Sequence, residues 1–185
     1  MFMPGGNYGP DAPMLYYPRE LLMAQGWDTL DIQFGFQTAG EELTLEKAPE
    51  VYQDARTALL AALLGRQYER IVLVGKSLST GVVAQLCLQE DAAKECRAVY
   101  LTPTLGWGLF DQAFVRTTQP ALLALGTRDR FYQPELLEKL RAARSFELVL
   151  VEGADHSMDV EGNLERSLAG LRRVVQAVVE FATSG

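Results

Sequence analysis

The chain has 185 residues, 48% hydrophobic and 22% charged, with a formal net charge of −7. That length fits one domain, residues 1–185, which buries roughly 70% of its unfolded surface and needs no staples. The acidic balance argues against nucleic acid or an anionic membrane surface as partner, and no uninterrupted apolar stretch reaches the length of a membrane span.

Short apolar runs alternate with helical patterns along the chain. Phe2-Met3 is the first run, and a Gly-rich turn beginning at Pro4-Gly5-Gly6 follows it. Pro18 is placed as the first-turn proline of a helix over residues 19–25, with Gly26 as its stop. Leu30, Ile32 and Phe34 alternate with Asp31 and Gln33, the pattern of an edge strand. Residues 48–64 form a long helical stretch ending at Gly65. Residues 71–74 are wholly apolar, as expected of a strand covered on both faces. Val82, Val83, Leu86 and Leu88 belong to a buried helix after that strand. Residues 98–101 and 121–125 are further strands. Pro134 opens a helix through Leu140, and residues 146–151 form the last strand. Leu168, Leu171, Val174, Val175 and Val178 recur at helical spacing in a final helix over residues 164–181. This alternation predicts an α/β fold: a three-layer α/β/α sandwich around a mostly parallel sheet of about six strands.

The first residues lack the basic region and long apolar core of a signal peptide. Cys87 and Cys96 lie on or near one helix and read as free thiols, so a cytoplasmic location is expected. One histidine and two cysteines do not make a zinc site, and neither metal nor cofactor is expected.

Three chemistry-bearing residues each fall just past an expected strand. Ser77 sits in Gly75-Lys76-Ser77-Leu78-Ser79, Asp129 ends Gly126-Thr127-Arg128-Asp129, and His156 lies in Gly153-Ala154-Asp155-His156-Ser157. Because His156 is the only imidazole, any serine–histidine chemistry must pass through it. Each residue also has a bland alternative: a capping serine at a helix start, a surface aspartate between Arg128 and Arg130, a turn histidine. Asp111 is a second candidate for the acid, while Asp155 adjoins His156 too closely to face the same ring. The substring Gly75-Lys76-Ser77 is not a phosphate loop, because Arg70 stands where that motif needs glycine and a strand replaces the flexible loop. Lys76 reads as a solvated or pocket-flanking charge.

With Ser, Asp and His in this order past strand ends, the sequence resembles the α/β-hydrolase superfamily, in a small form with little room for a lid. The resemblance runs from Gly5 to the last helix. The superfamily usually has an antiparallel strand pair before the Gly-rich turn. This chain begins inside what would be the third strand, as a minimal core or a truncated one. The resemblance implies a serine hydrolase, carboxylesterase-like, cleaving a small ester, thioester or amide through an acyl-enzyme. Ser77 would be the nucleophile, His156 the base and Asp129 its orienting acid. The oxyanion donors would be the N–H of Leu78 and that of Gly6 or Asn7, since Pro4 has none to give. Ser79 and Pro4 depart from the family's usual glycine and histidine. On those departures rests the alternative of a catalytically weak interaction module. Tyr8, Tyr16, Tyr17, Trp107, Phe110, Phe131 and Tyr132 fall in segments after strand ends, where open α/β sheets form their crevice. Of these, Tyr8, Trp107, Phe110 and Phe131 are the pocket candidates for a small-molecule substrate.

Overall fold

The computed structural model describes residues 1–42, 44, 47–107 and 109–184. Five strands form one parallel sheet: β1 (Phe2–Met3), β2 (Val72–Lys76), β3 (Arg97–Leu101), β4 (Ala121–Gly126) and β5 (Glu147–Val151), side by side in that order. The helices are α1 (Pro13–Ala24), α2 (Gly35–Thr38), α3 (Ala48–Leu63), α4 (Leu78–Gln89), α5 (Leu109–Phe114), α6 (Pro134–Ala143) and α7 (Leu164–Thr183). None of them is long and apolar enough to cross a membrane.

The pleat sorts the strand side chains into two cores. Leu73, Ala98, Tyr100, Leu123 and Leu125 face α3, α4, α5 and α6. Val72, Val74, Val99, Leu101, Leu122 and Ala124 face α1 and α7. With both faces covered, the central strands are apolar along residues 72–74, 98–101 and 121–125, which is how they read in the sequence; Lys76, at the carboxyl end of β2, is a buried exception.

Two expectations are corrected. The expected sixth strand, residues 30–34, contributes only a single parallel bridge, Asp31 to Phe2. Phe2 N–H donates to the Leu30 carbonyl at 2.7 Å and Ile32 N–H donates to the Phe2 carbonyl at 2.9 Å. β1 is two residues long, so nothing remains for a longer ladder to pair with. Helix α1 begins at Pro13, with Pro18 inside it. Either proline suits a first turn, but Pro13 occupies it; Pro18 lies further in, where it removes one helix hydrogen bond. Gly26 ends the helix as expected: its N–H donates to the Met23 carbonyl and that of Trp27 to the Leu22 carbonyl.

The topology places the site. From β1 the chain passes through α1 to Asp31 on the outer side of β1, then returns through α3 to β2 on the inner side. Right-handed crossovers in opposite directions put α1 and α3 on opposite faces. The switch point therefore lies between β1 and β2, and a crevice opens at their carboxyl ends, where Gly5 and Ser77 stand.

At the other side of that crevice the loops after β4 and β5 are stitched together. Arg128 N–H donates to the Ala154 carbonyl at 2.9 Å, and Gly153 N–H donates to Thr127 Oγ1 at 2.8 Å. The approach requires Gly126: a Cβ there would lie 2.0 Å from the Ala154 carbonyl oxygen. Gly126→Ala is therefore expected to destabilise the fold by about 1–3 kcal/mol through overpacking, which thermal melts read as a drop of several degrees. Gly6→Ala, where a Cβ meets nothing within 4 Å, should melt like the parent. Equal melting temperatures for the two variants would contradict this packing.

Candidate active site

Ser77 joins β2 to α4 with φ 53° and ψ −112°. Such a backbone in a non-glycine residue stores about 1–3 kcal/mol of strain and persists only where the surroundings hold it. They do: Ser77 N–H donates to the Leu101 carbonyl at 2.9 Å, and its carbonyl accepts from Thr80 N–H at 3.0 Å and from Thr80 Oγ1 at 2.6 Å. Gly75 is obligatory here, because a Cβ would fall 2.5 Å from the Ser79 carbonyl and 2.7 Å from Val83 Cγ2. The turn is thus a strand-to-helix elbow that lifts the Ser77 hydroxyl into the crevice.

The loop after β5 brings His156 over this hydroxyl. Its Nε2 lies 2.8 Å from Ser77 Oγ, and its Nδ1 lies 2.8 Å from Asp129 Oδ2. The Asp129 side chain is 1% exposed, and its other oxygen accepts from Phe131 N–H at 2.9 Å. A carboxylate on Nδ1 fixes the tautomer that carries its proton there. The lone pair on Nε2 then faces the Ser77 hydroxyl. The edge of His156 also packs against Phe131, ring centroids 5.2 Å apart. The two competing acids are engaged elsewhere. Asp111 accepts from Gly106 N–H at 2.8 Å. Asp155 accepts from Ser157 and Asp159 N–H groups, shaping the turn that carries His156.

Across the crevice the Gly-rich turn meets the elbow. A Cβ on Gly5 would lie 3.3 Å from Ser77 Cβ. Gly5 N–H donates to the Tyr8 carbonyl at 3.0 Å. The N–H groups of Gly6 and Asn7 have no acceptor among the described residues, and Leu78 N–H, first in α4, has none within its helix. Two features missed by the sequence reading hold the turn in place. Gln37 Nε2 donates to the Gly5 carbonyl at 2.8 Å and the Gly6 carbonyl at 3.3 Å. Ser79, fully buried, donates its hydroxyl to the Pro4 carbonyl. The residue that departs from the family's glycine therefore ties α4 to the turn instead of crowding it.

These groups open into a cleft of about 820 Å³. Of the expected pocket aromatics, Tyr8, Trp107, Phe110 and Phe131 line it. Phe110 is nevertheless fully buried and stacks on Phe114 and against Tyr100, so most of its surface serves the core. Tyr16, Tyr17 and Tyr132 are not among the lining residues; Tyr16 and Tyr17 stand exposed on α1. Of the two readings of Lys76, the solvated one fails, since the residue is 1% exposed, while the pocket-flanking one agrees with its place in the lining of the cleft. Its position in β2 shares pleat parity with Val72 and Val74, which turns the side chain inward. The ammonium stands 4.8 Å from the centroid of the Tyr8 ring. Burial draws its pKa down to about 8, opposed by the charges of Asp129 and Asp155 and assisted by Arg130.

A family model for the alpha/beta hydrolase domain matches residues 4–183. No curated protein matches the sequence. Among solved structures, the fold is similar to an alpha-beta serine hydrolase homologue from Coxiella burnetii, with a TM-score of 0.72 and 14% identity over 97% of this chain and 82% of that one. It is also similar to Est1E from Butyrivibrio proteoclasticus with ferulic acid bound, with a TM-score of 0.66 and 14% identity over 97% and 86%. A protein of the alpha/beta superfamily from Xanthomonas campestris pv. campestris gives a TM-score of 0.63 and 19% identity over 96% and 95%. At these identities the likeness is one of fold. The match across residues 4–183 makes this chain a member of the α/β-hydrolase family.

Proposed function

We propose that this protein is a serine hydrolase, carboxylesterase-like, which cleaves a small ester, thioester or amide through an acyl-enzyme on Ser77. One observation carries the reading: a single imidazole bridges a hydroxyl and a buried carboxylate at 2.8 Å on each side. In the first step Ser77 Oγ attacks the substrate carbonyl while His156 Nε2 takes its proton. Asp129 holds the ring and stabilises the imidazolium that forms. Negative charge gathers on the substrate oxygen, and the N–H groups of Leu78 and of Gly6 or Asn7 are its donors. The start of α4 adds the positive end of a helix dipole. His156 then protonates the leaving alcohol, thiol or amine, and a water attacks the acyl-enzyme by the reverse route. No cofactor is needed for this sequence of steps. The buried thiols of Cys87 and Cys96 suit a reducing compartment such as the cytoplasm.

The competing reading, a catalytically weak interaction module, rests on Ser79 and Pro4. The hydrogen bond between those two residues supports the enzyme reading instead.

Ser77→Ala is expected to lose fluorophosphonate labelling and hydrolysis of p-nitrophenyl acetate while retaining the parent far-UV spectrum. Labelling that survives the substitution would place the nucleophile elsewhere. Asp129→Asn should fold and lower kcat by about 10⁴-fold, the size seen where a serine-protease triad loses its tautomer, whereas Asp111→Asn should leave kcat near the parent value. The reverse pattern would move the acid to Asp111. Gln37→Leu frees the turn that carries Gly6 and Asn7. Steady-state kinetics should show kcat falling by about 10–100-fold, since a small misplacement of catalytic donors is that harmful. An unchanged kcat would remove Gln37 from this role.

A further inference from the structure

We propose that the substrate of this cleft carries an anionic oxygen group, a carboxylate or a phosphate, and that Lys76 holds it beside Ser77. The inference rests on the serine-hydrolase reading for the word substrate. The binding it predicts does not depend on turnover.

Lys76 is a buried cation whose nearest carboxylates, Asp129 and Asp155, act on it through space without touching it. It is 1% exposed, and among the described residues it forms no ion pair or hydrogen bond. Its ammonium rests over the face of Tyr8, an attraction too weak to offset taking an ammonium out of water. The fold keeps a charged residue where an apolar one would pack at less expense.

The two carboxylates that act on Lys76 are hydrogen-bonded to other groups. Asp129 serves His156 and the Phe131 N–H, and Asp155 serves two backbone N–H groups. The other cations do not neutralise Lys76 but add to it. Arg128 and Arg130 also line the cleft, both exposed and without an ion pair among the described residues. A chain of net charge −7 thus places three cations that form no ion pair among the described residues around its nucleophile, in a cleft whose lining also holds the carboxylates of Glu42 and Asp155. An oxyanion on the ligand gives the Lys76 ammonium the direct ion pair it lacks. Lysine, a compact point charge, suits either carboxylate or phosphate.

The groups facing Lys76 are Tyr8 from the loop after β1, Asp129 and Arg130 from the loop after β4, and Asp155 and His156 from the loop after β5. Tyr8 stays neutral, its pKa raised to about 12 by burial. The ammonium has a pKa of about 8, so it is charged below that pH and neutral above it. Anion preference should therefore weaken as pH rises.

The test uses Ser77→Ala protein, in which the esters are not consumed, and equilibrium titrations followed by NMR. Two pairs separate the anion sources: monomethyl glutarate against dimethyl glutarate, and 1-acetylglycerol 3-phosphate against 1-acetylglycerol. At about pH 6.5, at least one anion should bind about tenfold more tightly than its neutral partner, and which one does so identifies the group. That preference should shrink at about pH 9.5, well above the midpoint near 8, and should fall about tenfold in Ser77→Ala/Lys76→Met. Equal binding within both pairs overturns the proposal. So does a preference that Lys76→Met leaves intact, or, should that variant not fold, one that is the same at both pH values. Failure of the serine reading would appear separately, as parent protein whose Ser77 does not react with a fluorophosphonate.

Discussion

The two hydrogen bonds of His156 join the ends of three strands. Ser77 is delivered by β2, Asp129 by β4 and His156 by β5, and the ring sits 2.8 Å from each partner. Nothing local in the sequence enforces those distances. They follow from parallel strands in register, with Gly126 lying beside Val151 across β4 and β5, and from the loop contact between Arg128 and Ala154. Gly126 is the hinge of this arrangement, since any side chain there would push the His156 loop away from the Asp129 loop. Strain at Ser77 is tolerated for the same reason: the rigid sheet below and the start of α4 above leave it no alternative conformation.

The opposite wall of the crevice is built from one short turn and two remote hydrogen-bonding side chains. Pro4 contributes no donor, and Gly5 spends its N–H on Tyr8. The free donors therefore move one or two residues on, to Gly6 and Asn7. A turn this thin needs outside support. Gln37 grips it from α2 and Ser79 from α4. The serine in place of glycine at position 79 exchanges a little space for a hydrogen bond to a buried carbonyl, and such a bond is worth about 1 kcal/mol.

Much of this was legible in the sequence because the sheet is covered on both faces. Residues 71–74, 98–101 and 121–125 are apolar throughout, so their ends could be located, and the three polar residues past those ends stood out. A lone histidine left one candidate for the proposed base. The remainder was hidden for physical reasons. Gln37 acts on backbone carbonyls 31 and 32 residues away, and a carbonyl leaves no residue-type signature. Residues 30–34 carry a true strand pattern, with Ile32 and Phe34 buried, but β1 is too short to pair with them. α1 starts at Pro13 and not at Pro18, because both prolines satisfy the first-turn rule and the earlier one takes the turn. The charge of Lys76 left it open between solvent and the flank of the pocket, and counting the pleat from Val72 and Val74 turns it inward, to the pocket. Phe110 shows the limit of residue type as a guide, since an aromatic after a strand end can line a cleft and fill a core at once.

The central claim is that Ser77, activated by His156, becomes covalently acylated. Rapid mixing with p-nitrophenyl acetate, followed by acid quench and peptide mass spectrometry, tests it most directly. The expected result is a burst of p-nitrophenol approaching one per protein molecule, with one acetyl group on the peptide containing Ser77 and none after His156→Ala. Turnover without a burst or an acetylated Ser77, or acetylation undiminished by His156→Ala, would contradict it.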